Sequence, residues 1–474
     1  MSTLNSPSAP DASGGAALPF DRFLATPAAV DGFGAPALIR HMLAFEAALA
    51  NAQAAEGIVP PQAASAIAAV CGEVGQFDAQ RIVADGAIAG SVAIPLVKAL
   101  TAAVATRDAS AAAWVHWGST SQDVIDTAMV LATRASLARI DAALERLTAA
   151  LLATARAHRD TPVLARTLQQ PAQVISVGFK MVAWIAPLMR TRARLCEAAG
   201  TALQLQLGGA VGTLSTLAER GDAVLRRVAA ELELRAPDGA WHTQRDDWVA
   251  LGCEVGVLCG ALGKIALDVG LLAQAEVGEM AEPSGGGRGG SSAMPHKRNP
   301  VASMIARAVA LRAPQRVAAL LAAMPQEHER ALGAWQAELA EWPQLLLGAE
   351  GAVQALAEVA SGLVVDAARM RANIEALNGL VFAEAAAAVF ARVLGKAGAH
   401  ALLDRLAQAC VAERRPLREL ALQAREADPA LRAAIAVAAL NDAFDTDLAA
   451  RRAGAIAQNR LAALQASQAN TESR

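Results

Sequence analysis

Apolar side chains recur every three or four positions along several stretches of the chain, which is the spacing of one face of an α-helix. Runs with the alternation typical of strands are scarce. Gly57 follows the first of these series and is suited to cap a helix C-terminus. The three clearest series are Leu38, Met42, Phe45 and Leu49; Ile140, Leu144, Leu147 and Leu151; and Trp248, Leu251, Val255, Leu258, Leu262, Ile265, Val269 and Leu272.

The third series alternates steps of three and four residues, as a heptad seam does. Another face of the same segment carries small residues that let a second helix approach closely: Gly252, Gly256, Gly260 and Gly263. A helix that is apolar on more than one face is buried on more than one face. We therefore expect this helix at the centre of a bundle and at a subunit interface. Burial within a single monomer is the alternative.

Proline is absent from the long stretches 96–161, 188–236 and 344–415. Proline removes a backbone donor and clashes with the preceding helical turn, so these stretches favour long helices. The pattern as a whole predicts an all-α protein.

The predicted helices group into three domains. We place an N-terminal helical domain at 18–109, a central long-helix bundle at 110–350 and a C-terminal helical domain at 351–474. Residues 1–17 are rich in Ser, Pro, Gly and Ala without periodicity, which predicts a disordered tail. The last nine residues, from Ala466, predict a second loose tail.

Composition excludes several classes of function. The net charge is -3, so no electrostatic footprint for nucleic acid is visible. The longest apolar candidate for a membrane span is interrupted by Glu254, Lys264 and Asp268, and the N-terminus lacks the pattern of a signal peptide. The sequence contains no Tyr, which excludes a Tyr general acid. We expect a cytoplasmic protein that binds neither nucleic acid nor membrane.

The five cysteines give no sign of a metal or cofactor site. They form no CxxC pair and no His/Cys zinc spacing, and they stand in apolar surroundings. We predict reduced core thiols and no metal.

Two polar segments interrupt the apolar helical pattern. The first, His116–Asp123, places hydroxyls and an acidic residue where a helix begins, which is a capping signature. The same hydroxyls and free N–H groups can bind a carboxylate. The second, Ala165–Ala172, carries an Arg, a Thr and two amides before an apolar helix. Either segment could bind a polar substrate or only cap a helix.

A third polar segment, Pro283–Pro300, is rich in glycine, which predicts a mobile loop. It lacks the GxxxxGK[ST] spacing of a phosphate-binding loop, and no strand precedes it. A plain linker would not need the Lys, Arg, Asn and two Ser that follow the glycines.

These segments resemble motifs of the fumarase/aspartase superfamily. Gly290–Pro300 resembles the superfamily signature GSSxMPxKxNP, Thr120–Asp123 resembles its TSxD segment, and Arg166–Gln169 resembles its GRTHxQ segment. The resemblance covers nearly the whole chain. It implies an all-α, three-domain fold with a central long-helix bundle, a homotetramer, and active sites shared between subunits.

Within the superfamily, the chain most resembles the bacterial 3-carboxy-cis,cis-muconate cycloisomerases. Three further stretches support this resemblance: Trp241–Asp246, His328–Gly333 and Asn378–Glu384. It implies a cofactor-free enzyme that lactonises a small tricarboxylate in aromatic catabolism. The alternatives are a superfamily lyase that eliminates an amine or related group from a succinate-like substrate, and a non-catalytic scaffold.

The resemblance also implies roles for individual residues. Ser291 matches the superfamily's proton-transfer serine, and Lys297 and Asn299 match binders of substrate carboxylates. His116 can orient the substrate or donate a proton, although it can also pack beside Trp114 and Trp117. Three carboxylates on the substrate require further cations and donors, for which the candidates are Thr120, Ser121, Thr167, Gln169, His296, Arg298 and Arg330.

Two departures from the related lyases bear on the chemistry. Leu168 stands where those lyases carry the His of the GRTH segment, and Ser91–Pro95 lacks the His of the TxHDV segment. Expulsion of an amine needs a general acid, whereas a carboxylate leaving group is stable at neutral pH. The two missing His therefore favour a lactonising enzyme.

Overall fold

The computed structural model describes residues 19–285, 289–290, 293–294 and 296–472, with side chains as far as residue 466. The described chain is mostly helical. Its helices are α1 Pro19–Phe23, α2 Pro27–Gly32, α3 Ala35–Ala55, α4 Pro61–Gly72, α5 Ala79–Ala89, α6 Ala93–Arg107, α7 Ser121–Ala157, α8 Val177–Ala202, α9 Gly221–Glu231, α10 Asp246–Leu272, α11 Val301–Ala323, α12 Ala334–Ala360, α13 Ala367–Glu375, α14 Ala383–Glu413, α15 Leu417–Ala427, α16 Pro429–Ala434, α17 Val437–Ala443 and α18 Thr446–Glu472.

Two small antiparallel sheets accompany the helices. Strand β1 (Pro162–Thr167) pairs with β2 (Gln170–Ser176), and β3 (Met280–Ala281) pairs with β4 (Val364–Val365). The scarcity of strands is confirmed, but the hairpin β1–β2 was not predicted. The hairpin places Arg166 and Thr167 in a strand, where the sequence suggested only a polar lead into a helix.

The chain divides into two compact units. The first comprises the residues up to Ala143, Thr191–Gly260 and Ala308–Gln354. The second comprises Leu144–Arg190, Ala261–Arg307 and the chain from Ala355 onward. The three-domain division proposed from sequence stays a prediction, as does the tail at 1–17, which lies outside the described residues.

The predicted helical seams form the core. In α3, Met42, Phe45 and Leu49 are buried, and the helix ends just before Gly57, whose φ of +69° is the left-handed conformation of a C-terminal cap. All eight apolar positions predicted for the α10 seam are buried. Burial of these side chains, at about 25 cal/mol per Å² of apolar surface, stabilises the helices against the entropy cost of folding.

Two details of the sequence analysis were wrong. Cys196 is exposed rather than part of the core. Residues 466–472 belong to α18 rather than to a loose tail.

Helix α10 is long and apolar enough to cross a membrane by length and composition alone. Half of its most apolar stretch is buried in the chain, as in the core helix of a folded domain. The glycine face of α10 contacts α11 and α12 within the first unit. A Cβ at Gly252 would lie 2.9 Å from Leu320 Cδ1 and 3.0 Å from Trp342 Cζ3, whereas a Cβ at Gly260 would meet nothing within 4 Å.

The packing at Gly252 predicts the effect of adding one methyl group. Gly252→Ala should lower the free energy of unfolding by about 1–3 kcal/mol, because Trp342 is buried, stacks on Trp248 at 3.9 Å and has no room to move. Gly270→Ala on the same helix is the control, since its Cβ would meet nothing within 4 Å. Urea denaturation measures both, and an equal or smaller loss for Gly252→Ala would contradict this packing.

Candidate active site

The first polar segment forms a tight loop that leads into α7. The carboxylate of Asp123, which is fully buried, accepts a hydrogen bond from the backbone N–H of Thr120 at 3.1 Å. It also accepts from the N–H groups of Gly208 and Gly209 at 3.0 and 2.9 Å. His242 Nε2 lies 2.7 Å from the same carboxylate. Asp123 thus fixes Thr120 and two other loop segments of the first unit in one arrangement.

Arg330 lies against the start of α7. Its Nη1 donates to the Thr120 hydroxyl at 2.9 Å, and its Nη2 donates to the Ser121 hydroxyl at 3.4 Å. Burial lowers the pKa of Arg330, an effect that Asp123 and Asp126 oppose, and the guanidinium remains charged at neutral pH. Within the described residues the direct hydrogen-bond partners of Arg330 are neutral hydroxyls, so its guanidinium is suited to pair with an anionic ligand.

Arg245, unlike Arg330, pairs with carboxylates. Its guanidinium is 2% exposed and contacts Asp126 Oδ2 at 2.9 Å and Glu338 Oε2 at 3.0 Å. Burial alone would lower the pKa of Arg245, but the two carboxylates outweigh it and raise that pKa. Trp335 Nε1 also donates to Asp126 at 2.9 Å. The charge of Arg245 is therefore neutralised by two carboxylates, and the pairing joins α7 and α12.

His116 stands at the other end of the loop with a left-handed φ of +60°. Its Nδ1 lies 2.5 Å from Glu46 Oε1, and its side chain is 17% exposed. Burial alone would lower the pKa of His116, but the charge and hydrogen bond of Glu46 outweigh burial and raise it. Asp123 acts in the same direction.

The second unit holds the hairpin and the glycine-rich loop. Arg166 forms a bidentate ion pair with buried Glu279, with distances of 2.8 and 2.7 Å. Leu168 and Gln169 form the two-residue turn with φ of +50° and +64°. Thr167 and Gln169 are exposed, and Leu168 is 98% exposed. The pairing of Arg166 anchors the hairpin and leaves the side chains at its tip accessible.

The described residues of the glycine-rich loop include four of the predicted site residues. His296, Lys297 and Arg298 are exposed and Asn299 is partly buried. The N–H of Asn299 donates to the carbonyl of Gly289 at 2.9 Å, and a Cβ at Gly289 would lie 2.4 Å from Asn299 O, so only glycine fits there. Among the residues that the structure describes, Lys297 and Arg298 have no ion-pair partner. Ser291 lies outside the described residues.

Glu282 fixes the far end of this loop. Its carboxylate accepts hydrogen bonds from the N–H groups of Ala302 and Ser303 at 3.1 and 2.7 Å, at the start of α11. Within the described ranges, no cluster of His, Cys, Asp or Glu is suited to hold a metal ion.

A model of the lyase family matches residues 24–314, more than half of the chain. The chain belongs to this lyase family. Membership confirms the resemblance to the fumarase/aspartase superfamily and the prediction of an enzyme.

Three relatives illustrate the similarity. A 3-carboxy-cis,cis-muconate cycloisomerase of Bradyrhizobium diazoefficiens is 47% identical over 81% of this chain and 84% of its own. A nitrosuccinate lyase of Streptomyces davaonensis is 43% identical over 78% of this chain and 79% of its own. The crystal structure of a 3-carboxy-cis,cis-muconate lactonizing enzyme from Pseudomonas putida superposes with a TM-score of 0.87 at 39% identity, over 94% of this chain and 98% of that one.

The lyase-family structure brings some predicted site residues together and leaves others separate. Thr120, Ser121 and Arg330 meet in the first unit. Thr167 and Gln169 share the hairpin of the second unit, and His296, Lys297, Arg298 and Asn299 share its glycine-rich loop. Their roles in binding stay predictions. Sequence reasoning did not find Asp123 as a shared acceptor, nor Glu46 and Glu338. For Glu46, the available signal was an acidic residue within the apolar series of α3.

The buried pairing of Arg245 yields a stability prediction. Arg245→Met keeps most of the side-chain volume but leaves Asp126 and Glu338 buried without their cation. The free energy of unfolding should fall by about 3–5 kcal/mol. Burial raises the pKa of Glu338, and Arg245 opposes this effect. Without Arg245, Glu338 should be protonated more readily, and a protonated carboxyl is neutral. The loss of unfolding free energy should therefore be smaller at pH 5 than at pH 8.

Arg194→Met is the matched control, because Arg194 pairs with Glu254 at 2.9 Å at a partly exposed position. Its loss should be about 0–1 kcal/mol. Urea denaturation at both pH values measures the two variants. Similar losses of unfolding free energy in the two variants would contradict the prediction that the buried ion pairs of Arg245 stabilise the fold.

Proposed function

We propose that the protein is a 3-carboxy-cis,cis-muconate cycloisomerase that closes this substrate to 4-carboxymuconolactone without a cofactor. The 47% identity to the Bradyrhizobium diazoefficiens cycloisomerase, over 81% of this chain, carries the proposal. The reaction belongs to the protocatechuate branch of the β-ketoadipate pathway. We infer a cytoplasmic enzyme that acts on this small tricarboxylate.

The reaction needs one proton-transfer group. A carboxylate oxygen of the substrate adds to the conjugated double bond, and the ring C–O bond forms. The electron pair moves to the carbon α to another carboxylate, and this enediolate-like carbanion then takes one proton. In reverse the leaving group is a carboxylate, whose conjugate acid has a pKa of about 4, so it departs without a general acid. Leu168, in place of the His of related lyases, fits this chemistry.

Ser291 is the proposed proton-transfer residue. A Ser hydroxyl is a poor acid or base unless its anion is stabilised. Lys297 and the N–H groups of neighbouring glycines can provide that stabilisation. Exclusion of water by the closed loop would protect the carbanion.

The remaining site residues bind the three carboxylates. Arg330 supports this role best, because its direct partners in the described chain are the neutral hydroxyls of Thr120 and Ser121. A bidentate Arg–carboxylate pair gives both charge and orientation. The other proposed binding residues are Lys297, Asn299, Thr167, Gln169, His296, Arg298 and His116.

A homotetramer with active sites shared between subunits is part of the proposal. Large apolar side chains remain exposed along one side of α10, where Val257, Leu267 and Leu271 are 47%, 40% and 36% exposed. A surface of this kind is typical of an interface with another copy. Light scattering tests the assembly, and a stable, active monomer would contradict it.

A lyase acting on a succinate-like substrate is the second candidate. The 43% identity to the Streptomyces davaonensis nitrosuccinate lyase favours it. The absence of His at Leu168 and across Ser91–Pro95 weighs against a lyase that expels an amine.

Ultraviolet absorbance distinguishes the two candidates. We expect purified protein to remove the conjugated-diene absorbance of 3-carboxy-cis,cis-muconate. Parallel samples with adenylosuccinate, argininosuccinate and nitrosuccinate should release no fumarate. If the diene absorbance does not change and fumarate appears in another sample, the protein is a lyase. Leu168 would then indicate that another residue replaces the His of related lyases as general acid.

Substitution of the proposed proton-transfer residue tests the mechanism. Ser291→Ala should lower kcat by about 10²–10⁴-fold, the usual contribution of general acid–base catalysis. Ser284→Ala is the control, because Ser284 is exposed on the same loop outside the signature. Circular dichroism checks that both variants fold. Unchanged turnover by Ser291→Ala would eliminate the loop-serine mechanism for either candidate.

A further inference from the structure

Helix α3 packs against the loop that carries His116. Glu46 and Gln53 are 1% and 0% exposed, although both are polar. They lie seven residues apart, two helical turns, and so share one face of α3. Glu46 contacts the ring of His116, and Gln53 Nε2 donates to the carbonyl of Trp117 at 2.6 Å. Buried polar side chains on one face, directed at consecutive residues of one loop, indicate that its position matters.

The contact with Glu46 decides which nitrogen of His116 remains available. An ionised carboxylate can only accept a hydrogen bond, so Nδ1 donates to Glu46 Oε1 across the 2.5 Å contact. In the described chain, Nε2 has no hydrogen-bond partner. The left-handed φ of +60° at His116 is strained for a residue with a Cβ, and such strain persists where the surrounding structure imposes it. The backbone and the ring are thus both held with Nε2 unused.

The His116–Glu46 pair lies on the loop that Arg330 contacts. Glu46 Oε2 is buried without a hydrogen-bond partner, so the carboxylate is committed to His116 through Oε1. Thr120 lies four residues after His116, and its hydroxyl accepts a hydrogen bond from Arg330. His116 therefore belongs to the same loop as a hydroxyl that Arg330 contacts. Because Nδ1 donates to Glu46, Nε2 can donate to a bound carboxylate only in the imidazolium form of His116, which Glu46 favours by raising the pKa of the ring against the effect of burial.

We propose that Glu46 is a positioning residue, which fixes the His116 ring so that Nε2–H donates a hydrogen bond to one carboxylate of the substrate. The inference rests on the proposed function, because it assigns a polycarboxylate to this loop. Glu46 acts through His116 and does not touch the substrate. Removal of either residue should therefore weaken substrate binding by the same route.

A double-mutant cycle tests this assignment. Glu46→Gln and His116→Gln should each raise KM for 3-carboxy-cis,cis-muconate by about tenfold, the effect of losing one charge-assisted hydrogen bond, with a smaller change in kcat. The variant that carries both substitutions should have the KM of His116→Gln alone, since Glu46 has no other route to the substrate. Multiplied effects of the two substitutions would overturn the proposal, as would an unchanged KM in His116→Gln.

Glu350→Gln is the matched control for loss of a buried carboxylate. Glu350 is 3% exposed and accepts from Arg139 Nε at 2.8 Å and Ser136 Oγ at 3.0 Å, in the same unit. It should lower thermal stability without changing KM. A KM rise equal to that of Glu46→Gln would mean that Glu46 has only a structural role.

Two further measures keep the test decisive. If Glu46→Gln does not fold, Glu46→Asp takes its place in the cycle, because it keeps the charge but is one methylene too short to hold the ring. Wild-type turnover separates the two hypotheses. If the wild type does not convert 3-carboxy-cis,cis-muconate, the proposed function fails, and the cycle is then measured with whichever succinate-like substrate is converted.

Discussion

The buried carboxylate of Asp123 is the interaction on which the arrangement of the loops around Thr120 depends in the first unit. It accepts the N–H groups of Thr120, Gly208 and Gly209 and contacts His242, so one anion joins three separate loop segments. A buried carboxylate without such donors would be strongly destabilising. Because these partners come from three parts of the chain, the loops adopt their positions together. Thr120 and Ser121 are thereby oriented before any ligand arrives.

The arginines fall into two groups according to their partners. Arg166 and Arg245 form close pairs with buried carboxylates, so their charges are neutralised and they hold the fold. Arg330 meets neutral hydroxyls instead, and its charge remains available. This difference, and not the residue type, separates a structural arginine from one suited to bind substrate. The proposed tricarboxylate substrate requires the second kind, while the first kind gives the site a rigid support.

The segments proposed to bind substrate could be predicted from sequence because each is a run of consecutive residues. The Thr120–Asp123 segment lies at the start of α7, where the Asp123 carboxylate accepts from the N–H of Thr120 as the acid of a capping box does. The loop that ends at Pro300 leads directly into α11. The hairpin was missed for a physical reason. Its turn uses Leu168 and Gln169 in left-handed conformations, whereas the recognisable two-residue turns use Asn and Gly. Nothing local identifies a turn whose strain is imposed by the structure around it.

The sequence by itself determined the helical architecture and the α10 seam, because helical periodicity is a local property of consecutive residues. Tertiary structure alone decided the partners. Glu46 is 70 positions from His116, and Glu338 is 93 positions from Arg245. No spacing rule relates such distant residues. Their pairing follows from which helix faces are buried against each other. Burial makes an unpaired charge costly in free energy, so the buried charges form ion pairs.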